Sequence, residues 1–455
     1  MIALIEKAER IPCGLALLVL LVLCACRTPP AGIRNADLSP VENILKFPPG
    51  QLKAGAASVD ASPQTPQYLA GFGNNRKSTS VHDPISVRAV VFEQGGERVA
   101  LVAIDAIGIQ RHHLGEYLDK IRKVPPDRVI IACTHDHSAP DTMGLWGKVL
   151  GSDGRDPQYI SFLQKKVGEA VDAAADDLAP VEIVLGGAEV RPGVVRNVRV
   201  RGLLDPEVSV MGIYPVGSQT PKSVLVNFAM HAETLWADNT IVTSDWPGYM
   251  RKHIEAATGA EVAVYFNGAQ GAMVSVDNTI RPDSSEAHDF AEAERVGNAV
   301  ALAAEQALAR GERAANPELV FGRSIFYLPV ENILYNTAAR TPLITREFYR
   351  GNFQTEVNFI GLGPMELVTI PGEAYPKIGL AIKREMNARY KFVVGLANDE
   401  LGYLLYPEDF FNDLYSYERT AGMSPHWGGL LVEKQALDLI NKYETNYHGV
   451  RPEWR

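Results

Sequence analysis

The chain has 455 residues, of which 46% are hydrophobic and 22% are charged, an ordinary composition for a folded protein with a buried core. Its formal net charge is −10, and it contains no arginine- or lysine-rich block. Because nucleic-acid binding requires a concentrated positive surface, this charge pattern disfavours a role on DNA or RNA.

The N-terminus differs in kind from the rest of the chain. An uninterrupted apolar run, CGLALLVLLVLCAC, occupies residues 13–26 and follows Lys7 and Arg10. It is shorter than the roughly 20 residues of a membrane-spanning helix and is typical of a secretory signal peptide. Its end, LCAC, resembles a bacterial lipobox, which predicts a lipoprotein signal peptide over residues 1–25 and an acylated Cys26. The alternatives are a plain signal peptide and a short membrane anchor.

The segment after this run predicts a tether to the membrane. Residues 26–51 are rich in proline and polar side chains and show no clear periodicity. We therefore expect a secreted or cell-envelope lipoprotein of bacterial type, attached through an N-terminal lipid. If Cys26 is acylated, Cys133 is the only other cysteine of the mature chain, which excludes an intramolecular disulfide between free thiols.

From residue 52 onward, apolar runs alternate with helical patterns, which is typical of an α/β protein. Continuously apolar, β-branched segments predict buried strands at RVALVAIDA (98–106), DRVIIACTH (127–135), SVLVNFAMH (223–231), EVAVYFNGA (261–269), MELVTIPGE (365–373) and YKFVVGLAND (390–399). Helical patterns cover residues 159–178 and 285–311. We predict one large α/β domain over residues 52–455, with a mixed β-sheet and flanking helices.

Polar groups suited to chemistry follow four of these predicted strands. They are Asp105, His135, His231 and Glu373. In open α/β sheets, ligands collect at the carboxyl ends of strands, and two histidines with a carboxylate form a typical catalytic zinc set. A second histidine, His137, lies one residue beyond His135 and would share its face on a strand. Each residue taken alone also fits a structural role, as a helix cap, a core histidine or a turn residue.

The stretch that carries both histidines, THDHSAPD at 134–141, resembles the T-H-T-H-S-G-P-G motif of the neutral, or alkaline, non-lysosomal ceramidases. Further stretches similar to that family follow in the family's order: AGAASVDASPQTPQYLAGFGN (54–74), ISVRAVVFE (85–93), LVAIDA (101–106), NFAMHAETLWADNTIVTSDWPGYM (227–250), IPGEAYPKIG (370–379) and GLANDELGYLLYPEDFFNDLYSYE (395–418). The resemblance covers roughly residues 52–435 and implies the family's catalytic domain without its C-terminal immunoglobulin-like domain.

The resemblance also implies a single zinc ion and its ligands. Carried over onto the matching positions, the ligands are His135, His231, Glu373 and Tyr403. The residues themselves already favour the two histidines and the glutamate as a metal set. Tyr403 rests on the resemblance alone.

Other site residues follow from the same resemblance. His137 is expected beside the metal as a proton donor or hydrogen-bond partner, and Tyr417 as a group that stabilises an oxyanion. Arg196 is the best candidate for the arginine that contacts substrate in the family. The family's active-site serine corresponds to Ser275 in GAMVSVDN only if the alignment shifts by one residue.

The function implied is a zinc-dependent amidohydrolase that cleaves an N-acyl bond of a ceramide-like lipid or other small molecule by means of water activated by zinc. Two alternatives remain open at this point. One is a zinc hydrolase of another bond, such as an ester or a peptide, because zinc activates water against any of these carbonyls. The other is an envelope lipoprotein that keeps the pocket and only binds.

Overall fold

The computed structural model describes residues 37–274, 287–332, 335 and 346–447, with side chains described up to residue 444. The predicted signal peptide, Cys26, the first part of the predicted tether and Ser275 lie outside this range. Within the tether prediction, Val41–Lys46 forms a strand, so the ordered fold begins before residue 52. Among the described helices, none has the length and apolar character needed to cross a membrane.

The described residues form twenty strands, several of them only two residues long. They are β1 Val41–Lys46, β2 Lys53–Asp60, β3 Ser80–Val81, β4 Ser86–Gln94, β5 Glu97–Ile104, β6 Val129–Cys133, β7 Ala179–Glu189, β8 Arg196–Asn197, β9 Glu207–Pro215, β10 Ser223–Phe228, β11 Ile241–Val242, β12 Val262–Asn267, β13 Met273–Val274, β14 Glu312–Ala315, β15 Leu319–Pro329, β16 Asn352–Leu362, β17 Met365–Thr369, β18 Glu373–Ala374, β19 Tyr390–Val394 and β20 Tyr403–Leu404. All six strands predicted from the sequence are present, each ending a few residues before the predicted boundary.

Of the eight α-helices of the described residues, five lie between these strands in the chain and three follow β20. They are α1 Arg111–Leu118, α2 Pro157–Asp176, α3 Asp245–Thr258, α4 Phe290–Ala309, α5 Pro376–Glu385, α6 Pro407–Phe410, α7 Ser416–Ala421 and α8 Gly428–Tyr447. The two helices predicted from periodicity correspond to α2 and α4. Helix α2 starts at Pro157 because the side chain of Asp156 caps the backbone N–H of Gln158 and proline fits the first helical turn.

The strands form two large mixed sheets, where the sequence predicted one. The larger sheet has the order β12-β10-β9-β7-β2-β4-β5-β6, with β14 also paired to β7, and the smaller has the order β1-β15-β16-β17-β19. Both sheets combine antiparallel neighbours with parallel pairs, namely β5 with β6, β10 with β12 and β17 with β19. The architecture is therefore mixed α/β, as predicted.

The two sheets pack face to face, with helices on the outer side of each. One apolar cluster lies between the sheets and joins Leu101 and Ile130 of the larger sheet to Ile360 and Leu367 of the smaller. Two further clusters lie between the larger sheet and helices α1 to α4, and another lies between the smaller sheet and helices α5 and α8. The three parallel pairs bring the carboxyl ends of strands from both sheets to one region of the molecule, where a cavity is found.

Candidate active site

A buried cavity of about 100 Å³ lies at these strand ends. Its walls combine apolar side chains with titratable ones, and they are formed by Gly71, Ile107, His135, His137, Met143, Leu145, Trp146, Tyr335, Glu373, Glu400, Gly402, Tyr403, Tyr417, Ala421 and Met423. A concave site with a few convergent polar groups in an apolar wall is the usual form of a small-molecule site.

The histidines of this cavity are held by two chain segments that run side by side. The segment after β6 and the segment after β10 form a parallel bridge between Asp136 and Ala232, and the N–H of His137 donates to the carbonyl of Ala232 at 2.9 Å. His135 takes a left-handed backbone conformation with φ of 64°. This conformation is unfavourable for a residue with a side chain, and such strain is concentrated at functional sites.

His135 and His231 are oriented in the same way. The Nδ1 atom of His135 lies 2.8 Å from the carbonyl oxygen of Ile107, and that of His231 lies 3.0 Å from the carbonyl oxygen of Met273. Each carbonyl accepts the Nδ1 proton and thereby leaves Nε2 as the basic nitrogen. A backbone carbonyl at the far nitrogen is the usual support of a metal-ligating histidine.

The carboxylate of Glu373 faces both of these Nε2 atoms. Its Oε2 atom lies 3.3 Å from Nε2 of His135 and 3.1 Å from Nε2 of His231. These are the separations expected between ligand atoms that share one metal at about 2.0–2.2 Å. Burial by itself raises the pKa of Glu373, but the charges and hydrogen bonds of the two histidines lower it well below its ordinary value. The three side chains therefore fit a bound divalent cation.

Tyr403 is brought to this group by strand pairing. Strand β18 pairs in parallel with β20, and Glu373 and Tyr403 are direct partners in that register. Burial and the neighbouring charge of Glu373 raise the pKa of Tyr403 well above its ordinary value. A metal cation reverses this electrostatic effect and favours the phenolate. Tyr417 lies beside Tyr403, with ring centroids 5.9 Å apart, and is 51% exposed at the mouth of the cavity.

His137 is close enough to the other two histidines to offer an alternative ligand set. One nitrogen from each of His135, His137 and His231 lies within 4.8 Å of the others. His137, however, lacks the backbone support that the other two possess, because neither of its ring nitrogens has a hydrogen-bond partner among the described residues. The pair of supported histidines is therefore better suited to hold a metal ion than His137, which lies beside them.

The ring of His137 is fixed by packing. A side chain at Gly71 would place its Cβ 2.2 Å from Nδ1 of His137, so only glycine fits there, and Phe72 contacts the ring edge-on at 4.8 Å between centroids. Burial and the neighbouring histidines lower the pKa of His137 well below its ordinary value. The imidazole is thus neutral at pH 7.

The fold relates this site to proteins of known structure. No protein-family model matches the sequence, and no curated protein matches it either. Among solved structures, a neutral ceramidase from Pseudomonas aeruginosa aligns over 87% of this chain and 75% of its own, with a TM-score of 0.70 and 18% identity. A ceramidase complexed with C2 aligns over the same shares, with a TM-score of 0.72 and 17% identity.

The chain has the fold of a neutral ceramidase. At this level of identity the likeness establishes the architecture, and the chemistry has to be argued from the residues themselves. Within the ceramidase-like fold, the cavity is lined by five of the seven site residues expected from the sequence, namely His135, His137, Glu373, Tyr403 and Tyr417, and a sixth, His231, contacts Glu373.

Arg196 does not line the cavity. It belongs to β8, which pairs with β13. Its charge acts on Glu233 and lowers the pKa of that carboxyl. The structure therefore places Arg196 near the carboxylate of Glu233 and outside the wall of the cavity.

Two glutamates of this region were missed by the sequence reasoning. Glu233 is buried, its Oε1 has no hydrogen-bond partner among the described residues, and its Oε2 lies 3.9 Å from Nδ1 of His137. Burial is the main reason that its pKa is raised to about 7. Glu400 lines the cavity, and burial together with the charge of Glu373 raises its pKa well above the ordinary value. Glu400 directly follows the predicted strand at 390–399 and Glu233 lies two residues beyond the one at 223–231, but the sequence shows none of the contacts that single them out.

Asp105, the remaining polar group at a strand end, has a structural environment. Both oxygens of its carboxylate accept from the guanidinium of Arg251 at 2.8 Å, and Oδ2 also accepts from the backbone N–H of Ser86. It does not line the cavity of the ceramidase-like fold. Asp105 therefore forms a structural ion pair with Arg251. Its position directly after β5 does not indicate a chemical role.

Proposed function

We propose that this chain is a zinc-dependent hydrolase that cleaves the N-acyl bond of a ceramide-like or other N-acyl compound. The observation that carries the proposal is that Oε2 of Glu373 lies 3.3 Å from Nε2 of His135 and 3.1 Å from Nε2 of His231, at the strand ends of a ceramidase-like fold. Tyr403, the register partner of Glu373, supplies the fourth ligand in this proposal.

A zinc ion bound there supplies a water molecule of lowered pKa and polarises the carbonyl of the scissile bond. The protein side chains supply the remaining steps. His137 has two ring nitrogens without a hydrogen-bond partner among the described residues and lies beside the proposed ligands, so it is placed to take the proton that the attacking water releases. The water oxygen bonds to the carbonyl carbon, and His137 then delivers the proton to the nitrogen as the C–N bond breaks. The products are a carboxylic acid and an amine.

Tyr417 is suited to the charge that develops on the carbonyl oxygen. Its hydroxyl stays protonated because partial desolvation of the phenol and the charges of Glu373 and Glu233 raise its pKa to about 12. A protonated phenol at the mouth of the cavity can donate a hydrogen bond to an oxyanion. The apolar wall formed by Met143, Leu145 and Trp146 is suited to the acyl group of the substrate.

Hydrolysis of fluorogenic N-acyl substrates tests the proposal. The purified chain should release amine from such a compound, lose this activity when a chelator removes the metal and regain it when zinc is added back. Matched esters and peptides should be tested alongside. If the zinc-loaded chain cleaves those and no N-acyl amine, then it is a hydrolase of another bond. If it cleaves none of them and still binds N-acyl compounds, a binding protein is the better description.

We also propose that the chain is exported and anchored through an acylated Cys26, as its N-terminal sequence predicts. Such an anchor would keep the cavity at the cell envelope, where lipid substrates are present. Intact-mass measurement of protein extracted from envelopes should give a chain that starts at Cys26 with added acyl groups. A mass that corresponds to an uncleaved N-terminus, or to an unmodified cysteine, would contradict the anchor.

A further inference from the structure

A second cavity, of about 290 Å³, is lined by residues of helix α1, of strands β15 and β16 and of the segment that follows residue 345. None of its described lining residues also lines the candidate active site. Three of them are arginines, namely Arg111, Arg323 and Arg346. Because the guanidinium group of arginine keeps its proton in proteins, three permanent positive charges meet at this cavity.

Two buried carboxylates balance part of this charge. Glu356 accepts through one oxygen from Arg111 and from Nε of Arg323, the latter at 3.0 Å. Burial by itself raises the pKa of Glu356, but the charges of Arg111 and Arg323 lower it below the ordinary value, so this carboxyl group is ionised. Asp399 accepts from the guanidinium of Arg346 and from the backbone N–H of Arg111, the latter at 2.9 Å. Three arginines against two buried carboxylates leave one positive charge in excess.

The other titratable groups of the wall do not cancel this excess. Burial and the neighbouring positive charges, among them that of Arg346, lower the pKa of His112 to about 2, so its imidazole is neutral at pH 7. Glu347 also lines the cavity, but it is exposed to solvent, and water weakens the field of an exposed charge. The buried part of the cavity is therefore positive and favours an anion.

Arg346 carries a donor that the described part of the protein leaves unused. The residue is 6% exposed, and its Nη2 atom donates to Asp399, whereas its Nη1 atom has no hydrogen-bond partner among the described residues. The guanidinium lies over the ring of Phe353, 4.6 Å from its centroid, and this contact fixes the plane of the group. A buried, charged donor without an acceptor is costly, so an acceptor is expected at this place when the cavity is occupied.

We propose that this second cavity binds a phosphate group, of inorganic phosphate or of a phosphate monoester, through the guanidinium groups of Arg346, Arg323 and Arg111. The planar guanidinium presents paired N–H donors that match the oxygens of phosphate, and a tetrahedral anion can accept from several such groups at once. A neutral acceptor would use the free donor of Arg346 and leave the excess charge unbalanced. The inference is independent of the proposed function, since neither the metal ligands nor His137 take part in it.

Calorimetric titration of inorganic phosphate into the zinc-loaded full chain, at an ionic strength held constant with chloride, tests this inference. Phosphate should bind saturably and more tightly than acetate. In Arg346→Lys, lysine keeps a charge for Asp399 and loses the planar fork, so the affinity for phosphate should fall by about tenfold or more. Arg323→Gln should also weaken binding, and it is a second test because Glu356 keeps its contact with Arg111. Absence of saturable binding at millimolar phosphate, equal affinity for acetate, or parent-like affinity in both variants would overturn the inference.

Two controls locate the binding site. Arg389→Lys makes the same chemical change in an exposed ion pair with Glu312 and should leave the affinity for phosphate unchanged. His231→Ala is expected to lack the metal, and it should still bind phosphate with the weakening caused by Arg346→Lys when the two changes are combined. If phosphate binding disappears in His231→Ala alone, the anion is held at the metal site and the inference fails.

The source of the phosphate group is identified by titrating two monoesters in parallel, glycerol 3-phosphate and a short-chain phosphatidic acid. Binding of phosphatidic acid that is tighter than that of both other compounds, and is weakened in Arg346→Lys, would support the inference with a lipid head group as the ligand. Tightest binding of glycerol 3-phosphate would support it with a soluble monoester, and tightest binding of inorganic phosphate would support it with the free anion. Binding of the monoesters that is insensitive to both Arg346→Lys and Arg323→Gln would count against the cavity as their site.

Discussion

Asp105 and Glu373 are both buried carboxylates that follow a strand of apolar residues, and their surroundings differ in one respect. Asp105 is surrounded by donors that are permanent parts of the protein, namely the guanidinium of Arg251, the N–H and hydroxyl of Ser86 and the hydroxyl of Ser244. Glu373 faces two imidazole nitrogens whose opposite sides are already held by backbone carbonyls. The hydrogen-bonding capacity of Asp105 is satisfied by fixed groups of the protein. Glu373, by contrast, lies beside two imidazoles that are oriented to bind a cation.

This difference teaches how a structural carboxylate can be told from a functional one. A buried ion pair with a full set of hydrogen bonds fixes the chain, and removal of either partner leaves an uncompensated charge. A carboxylate that meets two imidazoles at metal-ligand separations leaves a charge to be balanced by a bound ion. Substitution of Asp105 should therefore change stability, and substitution of Glu373 should change metal content and turnover.

The largest effect is expected at the metal ligands. In His231→Ala, zinc content should fall from one ion per chain to near zero and hydrolysis should be lost, because one of two supported imidazoles is removed. Elemental analysis of the purified variant measures this directly. His253→Ala is the matched control, since that histidine contacts Glu305 and Asn298 on the helical side and should leave metal content unchanged. Full zinc retention in His231→Ala would refute the ligand assignment.

The next largest effect is expected at His137. The variant His137→Ala should keep its zinc and lose turnover by something like 10²–10⁴-fold, the range typical of an acid–base group. Zinc content and kcat are measured on the same preparation. Parent-level hydrolysis by this variant would remove His137 from the mechanism, whereas loss of zinc would favour the alternative set of three histidines.

A loss of stability is expected at the structural carboxylate. Asp105→Asn leaves Arg251 charged and buried at 2% exposure without its partner, which should lower the free energy of unfolding by about 3–5 kcal/mol. Urea unfolding gives the difference, and the folded fraction should still bind zinc. Asp438→Asn breaks an exposed pair with Lys434 and should cost less than about 1 kcal/mol. A stable Asp105→Asn variant that has lost its metal would show that Asp105 supports metal binding and not the stability of the fold.

A smaller loss is expected from crowding His137. In Gly71→Ala the new methyl group would meet Nδ1 of His137, and the backbone φ of 92° disfavours alanine there. Turnover should fall by about tenfold or more with zinc retained, because a small displacement of an acid–base group impairs proton transfer. Gly73→Ala is the control, since an added Cβ at that position meets nothing within 4 Å. Equal turnover in the two variants would argue against a role for the ring's position.

The smallest effect at neutral pH concerns acid stability. Burial by itself raises the pKa of Asp105, but the charge and hydrogen bonds of Arg251 lower it below the ordinary value. A carboxyl group whose pKa is lowered on folding stabilises the protein above its unfolded pKa of about 3.9, and this contribution is lost as the pH falls through the folded pKa. Urea unfolding from pH 7 to 3 should show a steeper decline for the parent than for Asp105→Asn. Parallel curves would contradict this linkage.

The sequence allowed much of this arrangement to be predicted. Continuous apolar runs marked the buried strands, and the polar residues that follow them marked His135, His231 and Glu373, because local sequence determines where a strand ends. Tyr403 could be named only through the family resemblance. Glu233 and Glu400 also lie near the ends of predicted strands, but they could not be singled out, since their significance lies in contacts with His137 and the cavity that depend on how the two sheets meet. Asp105 could not be separated from the ligands, because Arg251 approaches it from a distant helix.

The position of a bound zinc ion tests the central claim most directly. Anomalous diffraction from crystals of the zinc-loaded protein locates the metal without reference to activity. We predict one anomalous peak per chain within coordination distance of Nε2 of His135, Nε2 of His231 and Oε2 of Glu373, with the hydroxyl of Tyr403 as the fourth protein ligand and His137 outside the coordination sphere. A peak bound by His137 in place of Glu373, or no peak at this site at full zinc loading, would contradict it.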